Sequence, residues 1–144
     1  MTQATADRIT LHATSVAISG RGLLILGTSG AGKSALALDL MSRGAGLVSD
    51  DRCLVWCEGG RLIVDAPDTL RGRIEARGVG ILSAPAFGPV PIALVVDLDQ
   101  SETDRLPACH ETEILGISLP LARNCTAPHF SAALMTYVKG GRVD

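Results

Sequence analysis

The chain predicts an α/β domain built around a phosphate-binding glycine loop, with a mixed, largely antiparallel sheet and few helices. Three observations predict it. An apolar run, Leu23-Leu24-Ile25-Leu26, short enough for a buried strand, leads straight into Gly27 to Ser34. That stretch, GTSGAGKS, fits the pattern G-x-x-x-x-G-K-[ST] without a gap, and Ala35 to Met41 follows as an apolar helix stopped by Gly44. Elsewhere, strand-like runs divided by Gly and Pro turns outnumber helical ones, so regular strand–helix alternation is excluded.

Each position of the loop has a physical task. Gly27, Gly30 and Gly32 adopt backbone angles closed to other residues. The amides of Thr28, Ser29 and Ala31 can then turn inward, and with the start of the helix they make a concave cage for oxyanions. Lys33 brings a point charge to the outer phosphates, and the Ser34 hydroxyl is placed to ligate Mg²⁺. The pattern implies a nucleotide such as ATP, bound with Mg²⁺.

The 144 residues suit one domain over 1–144, and 47% hydrophobic content is enough for a core. With 3% aromatics, that core must be aliphatic and alanine-rich. A net charge of -2 gives no basis for a nucleic-acid or membrane surface. No apolar run reaches transmembrane length, and the opening MTQATADRIT lacks a signal peptide's apolar segment, which predicts a cytoplasmic protein. Cys53, Cys57, Cys109 and Cys125 form no C-x-x-C pair. A zinc site with His110 and His129 would lack paired ligand spacing, so buried, reduced thiols are expected.

Taken in order, residues 8–20 alternate loosely and read as strands turning at Gly20-Arg21-Gly22 into the strand before the loop. Leu47-Val48-Ser49 is a short strand ending in Asp50-Asp51. Cys53 to Cys57 and Arg61 to Asp65 flank Gly59-Gly60, a hairpin signal. Pro67-Asp68 makes a turn, Arg73 to Arg77 is a candidate strand, and Ser83 to Pro91 is a loop with three prolines. Ile92 to Asp99 is the clearest strand. A polar loop follows to His110, then Ile114 to Leu121 as a last strand and Ser131 to Val138 as a closing helix.

A phosphate loop needs a further acidic group, to hold Mg²⁺ or to take a proton from the acceptor. Two strand ends offer one: Asp50-Asp51, and Asp97 with Asp99. Pattern alone slightly favours the second, because four hydrophobic residues followed by Asp is the usual companion of this loop.

The order GTSGAGKSALALDLMSRGAGLVSDD, then RIEARGVGI, then DRL resembles the catalytic domain of the HPr kinase/phosphorylase family, from about His12 to about Leu121. IEARGVGI is the family's second signature and is the more specific of the two. The resemblance implies a PEP-carboxykinase-like phosphate-loop domain, using ATP and Mg²⁺ to phosphorylate a serine of an HPr-like phosphocarrier protein. It implies Lys33 as the nucleotide-binding lysine, Ser34 and Glu75 as Mg²⁺ ligands, and Asp50-Asp51 as the acidic pair. One of that pair, by preference Asp51, acts as general base toward the acceptor serine. His12 and Arg105 match a histidine and an arginine of the family's site. Under this reading Asp97 and Asp99 lose their claim.

The chain departs from the family's pattern at several points. Ala35 stands where an acidic residue is usual, and Thr28 where Asp is common. The PVxxGRN-like stretch tied to dephosphorylation is reduced to Leu121-Ala122-Arg123-Asn124, which implies weak or absent phosphorylase activity. The amino-terminal domain and further carboxy-terminal helices of long members are expected to be missing, as in the short form of certain Gram-negative bacteria. The family's hexamer implies a homo-oligomer. A reading from another class is a nucleotide- or phosphate-binding regulatory module with little turnover, which would keep Lys33 and Ser34 without needing the Asp pair.

Overall fold

The computed structural model describes residues 7–144, so the first six residues of the opening stretch read for a signal peptide lie outside the described residues. The strands are β1 (Ile9–Leu11), β2 (Ala13–Ile18), β3 (Arg21–Leu26), β4 (Gly46–Ser49), β5 (Cys53–Glu58), β6 (Arg61–Asp65), β7 (Arg73–Ala76), β8 (Gly80–Ser83), β9 (Val90–Ser101), β10 (His110–Ile114) and β11 (Ile117–Asn124). Two α-helices accompany them, α1 (Lys33–Ser42) and α2 (Phe130–Gly140). Nine strands join in one sheet, and β7 pairs β8 in a separate ribbon. The sheet is mixed: β3–β9 and β9–β11 are parallel, and the other pairings are antiparallel. Among the described residues no helix is long and apolar enough to cross a membrane.

The long β9 is the spine. Its start pairs with β6, its middle with β3, and its far half with β11. Side chains of β3 alternate between two cores: Leu23 and Ile25 face one, Leu24 the other. The register slips between the Gly22–Ile92 and Leu23–Leu94 pairs. This bulge lets Ile92 and Leu94, two apart in one strand, join opposite cores. Helices α1 and α2 cover the first core with Ala37, Leu40, Leu134, Met135 and Val138. Strands β5 and β6 fold over the second with Val55, Leu62 and Val64. Each of these large aliphatic side chains contributes about 1.5–3 kcal/mol when fully buried.

Helix α1 ends where the sequence predicts. Gly44, at φ 111°, carries a left-handed turn in which Ala45 N bonds to Leu40 O and Gly44 N to Met41 O. Arg21 donates to the last-turn carbonyl of Val138 at 3.0 Å and so ties α2 to the sheet. Gly59 and Gly60, both at positive φ, close the β5–β6 hairpin as expected.

The expected last strand is corrected. Ile114 to Leu121 is not one strand but the bend of the β10–β11 hairpin, turning at Leu115 (φ 51°) and Gly116 (φ 79°). A leucine in the left-handed region gives no turn signal, and the polar run His110 to Glu113 has no apolar alternation to mark β10. The thiols also divide: Cys53 is buried, Cys57 and Cys125 are half-buried, and Cys109 is exposed. Only Cys53 matches the buried expectation in full, and no metal-binding cluster of three or more His, Cys, Asp or Glu forms among the described residues.

Candidate functional site

Parallel β3 and β9 end at the same edge of the sheet, and the glycine loop leaves β3 there. Gly27 sits in a narrow passage, where a Cβ would lie 3.0 Å from Ala31 Cβ and 3.3 Å from Leu98 Cβ. Gly32, at φ 103°, caps α1 without a side chain, and the first turn holds no acidic residue. The opening amides of α1 therefore carry no internal counter-charge. Lys33 is buried against its own loop, and its Nζ donates to Gly27 O at 2.8 Å and Thr28 O at 3.1 Å.

Ser34 is the next residue of α1, and its hydroxyl donates to Asp50 Oδ1 at 2.6 Å. Asp50 follows β4 and is 7% exposed. It also accepts from Thr14 Oγ1 at 3.1 Å and, on Oδ2, from the backbone N of Glu75 at 2.9 Å. One carboxylate thus gathers β2, α1 and β7. A buried carboxylate is costly unless its lone pairs are filled, and here three donors fill them.

Asp51 stands in a different environment. Its φ of 71° turns the chain outward, a conformation that Asp tolerates better than most residues. Its amide donates to Thr14 Oγ1 at 3.2 Å, so Thr14 bonds both the Asp50 carboxylate and the Asp51 backbone. His12 Nε2 lies 2.9 Å from Asp51 Oδ1, and both side chains are largely exposed. Asp50 is enclosed by donors, whereas the Asp51 side chain is largely exposed and His12 meets its Oδ1.

Glu75 reaches this network through its backbone, and its side chain is exposed on β7, between buried Ile74 and Ala76. Arg105 does not join it. It lies on the exposed segment between β9 and β10, which leaves the sheet at the same edge as the glycine loop. Glu102 shapes that segment, accepting from the amides of Thr103 and Asp104 and lying 3.1 Å from His110 Nε2. The Asp104 amide above all, then His110, holds its carboxyl below the usual range.

A cleft of about 490 Å³ opens beside the loop, lined by His12, Leu26, Gly27, Thr28, Ser29, Asp97 and Asp99. Asp97 and Asp99, set aside in favour of Asp50-Asp51, therefore stand at the mouth of the loop. Asp97 accepts from Asp99 N and Gln100 Nε2, and Asp99 accepts from Thr28. A larger cleft of about 700 Å³ lies against β8 and is lined by Arg71, Arg73 and small or aliphatic residues. It holds no carboxylate, amine or imidazole, whereas the smaller one carries His12, Asp97 and Asp99 beside the glycine loop.

Sequence reasoning missed Thr14, since a threonine within a strand carries no signal of its own. Arg123, noted as the remnant of a longer motif, pairs in register with Asp97, and its buried Nε finds no hydrogen-bond partner among the described residues.

A family model described as the HPr serine kinase C-terminal domain matches residues 3–123. The chain is 40% identical over 134 residues to an HPr kinase/phosphorylase of Caldicellulosiruptor bescii, covering 83% of this chain and 43% of that protein. It is 38% identical over 130 residues to one from Azoarcus sp., covering 80% and 41%. The chain thus spans about two fifths of the length of the curated relatives it matches. Among solved structures, the Hpr(Ser) kinase/phosphatase of Coxiella burnetii superposes with a TM-score of 0.76 at 27% identity, covering 91% of this chain and 94% of that one.

Proposed function

The chain belongs to the HPr serine kinase C-terminal domain family, and on that premise we propose an ATP-dependent protein serine kinase acting on an HPr-like phosphocarrier, with weak or absent phosphorylase activity. One observation carries the reading: an enclosed Ser34–Asp50 pair and an exposed His12–Asp51 pair meet at the end of the Gly27–Ser34 loop. A regulatory binding module would keep Lys33 and Ser34 and need neither carboxylate of the Asp50-Asp51 pair.

In this reading the loop amides and Lys33 hold the outer phosphates of ATP, Lys33 using the N–H left over from its two carbonyl bonds. Mg²⁺ favours one or two carboxylates and keeps its phosphate and water ligands. The Ser34 hydroxyl and Asp50, with Glu75 on the tethered strand β7, fit that demand without an all-protein cage. When bound, the ion neutralises charge on the phosphates. Asp51 takes the proton of the acceptor serine hydroxyl on the oxygen that His12 does not meet. His12 orients it through the other. Arg105, on the segment at the same sheet edge, adds positive charge to the transferring group.

The test is incubation with candidate HPr proteins, labelled ATP and Mg²⁺, followed by mapping of the labelled residue. Label on one serine supports the reading. ATP binding without transfer to any candidate would favour the regulatory module.

A further inference from the structure

We propose that Asp99 is a positioning residue for the phosphate loop, acting through Thr28 on Lys33; the proposal rests on the phosphate-binding reading of that loop. Every polar atom of Thr28 is engaged. Its amide donates to Asp99 Oδ2 at 2.9 Å and its hydroxyl to Asp99 Oδ1 at 3.1 Å. Its carbonyl accepts from Lys33 Nζ at 3.1 Å and from Ala31 N at 3.0 Å. Asp99 is thereby joined through one residue to the ammonium that faces the phosphates.

The loop needs such an anchor. Three of its first six residues are glycine, which have the most backbone freedom to lose on ordering. The partner side is stiff by contrast. Leu26 pairs with Asp97, and two residues further along each strand Thr28 meets Asp99, so the parallel alignment continues past the last ladder bond. Asp97 accepts from Asp99 N at 2.9 Å, and β11 pairs with the far side of β9. The strand end is held in place before it holds the loop.

A second effect opposes this one, because a carboxylate at the mouth of a phosphate cage repels the ligand. Asp99 is exposed, which screens that repulsion, while its two hydrogen bonds act at contact distance. Positioning should therefore dominate. Only one other lysine exists in the chain, Lys139 on α2, so no second ammonium can replace a displaced Lys33.

The experiment measures pyrophosphate and Mg·ATP binding by calorimetry for the parent and variants, with thermal unfolding as a check on folding. Asp99→Ala should raise both dissociation constants about tenfold, as expected for two lost charge-assisted bonds. Asp99→Asn, which keeps one acceptor oxygen, should recover most of the loss, and Thr28→Val should cost roughly threefold. In a Lys33→Ala background, Asp99→Ala should add nothing. Unchanged or tighter binding by Asp99→Ala overturns the proposal, as does a full additive loss in the Lys33→Ala background. Should Lys33→Ala itself leave pyrophosphate binding intact, the phosphate reading of the loop falls as well.

Discussion

His12 Nε2 lies 2.9 Å from Asp51 Oδ1, with the two side chains 55% and 60% exposed. An exposed pair of this kind contributes at most about 1 kcal/mol to stability. Its role is one of orientation, fixing which oxygen of Asp51 stays free. Asp51→Asn should lower phosphoryl transfer about 100-fold or more while ATP binding survives, as for loss of a general base. His12→Ala should cost roughly tenfold, and Asp97→Asn should change turnover little. Steady-state kinetics on all three decide it, and a larger loss from Asp97→Asn than from Asp51→Asn would move the base to the other strand end.

Lys33→Ala should abolish kinase activity and weaken ATP binding strongly, because the loop then has no ammonium to face the phosphates. Ser34→Ala should act mainly through Mg²⁺, shifting the Mg²⁺ concentration for half-activity upward. Turnover at the parental rate by Lys33→Ala would remove the kinase assignment.

Thr14 is fully buried, donates to Asp50 and accepts from Asp51. Thr14→Val keeps the shape and removes both bonds, leaving the Asp51 amide without its acceptor. It should destabilise the fold by about 1–3 kcal/mol and slow transfer, whereas Thr14→Ser should restore both. Denaturant titration alongside the kinase assay separates the two effects. Equal behaviour of valine and serine variants would exclude a role for the hydroxyl.

The reverse direction asks for phosphate and phosphoserine in one cage. Two unit charges about 5 Å apart repel by roughly 3 kcal/mol at an effective dielectric near 20. Of the motif that would offset such repulsion, this chain keeps little more than Arg123. Phosphoserine-HPr with Mg²⁺ and phosphate should therefore release pyrophosphate far more slowly than the forward reaction runs. Release at a comparable rate would show the longer motif to be dispensable.

Burial, with a smaller push from Asp50, raises the Cys53 thiol from 9.0 to about 12. The unfolded chain then loses this proton at lower pH than the native one, so the contribution to stability is full below about 9 and declines toward 12. Under native conditions at mildly alkaline pH, iodoacetamide should modify exposed Cys109 well before Cys53. Mass spectrometry of the digested protein reads the order directly.

The strands around the loop were legible because their signal is local: Leu23 to Leu26 is a continuous apolar run between two glycines, and Ile92 to Val96 is one that follows Pro91. The β10–β11 turn was not legible, since Leu115 carries a conformation its side chain does not advertise. Residue pattern slightly favours Asp97 with Asp99, and only the family resemblance turns the choice to Asp50-Asp51. Both strand ends in fact reach the loop, one through Ser34 and the other through Thr28. Such meetings depend on which strands become neighbours in the sheet, a non-local property that a linear reading does not contain.

Asp50 reaches Thr14, Ser34 and Glu75 across 36, 16 and 25 positions of sequence. Of the elements so joined, β7 belongs to the two-stranded ribbon outside the main sheet, so the network is complete only when that ribbon has docked. On the phosphate-binding reading, a chain with its main sheet formed and the ribbon undocked would lack the assembled site. Acquisition of pyrophosphate binding during refolding should lag behind recovery of the β-sheet signal, and a bound anion should slow hydrogen exchange in β2, α1 and β7 together.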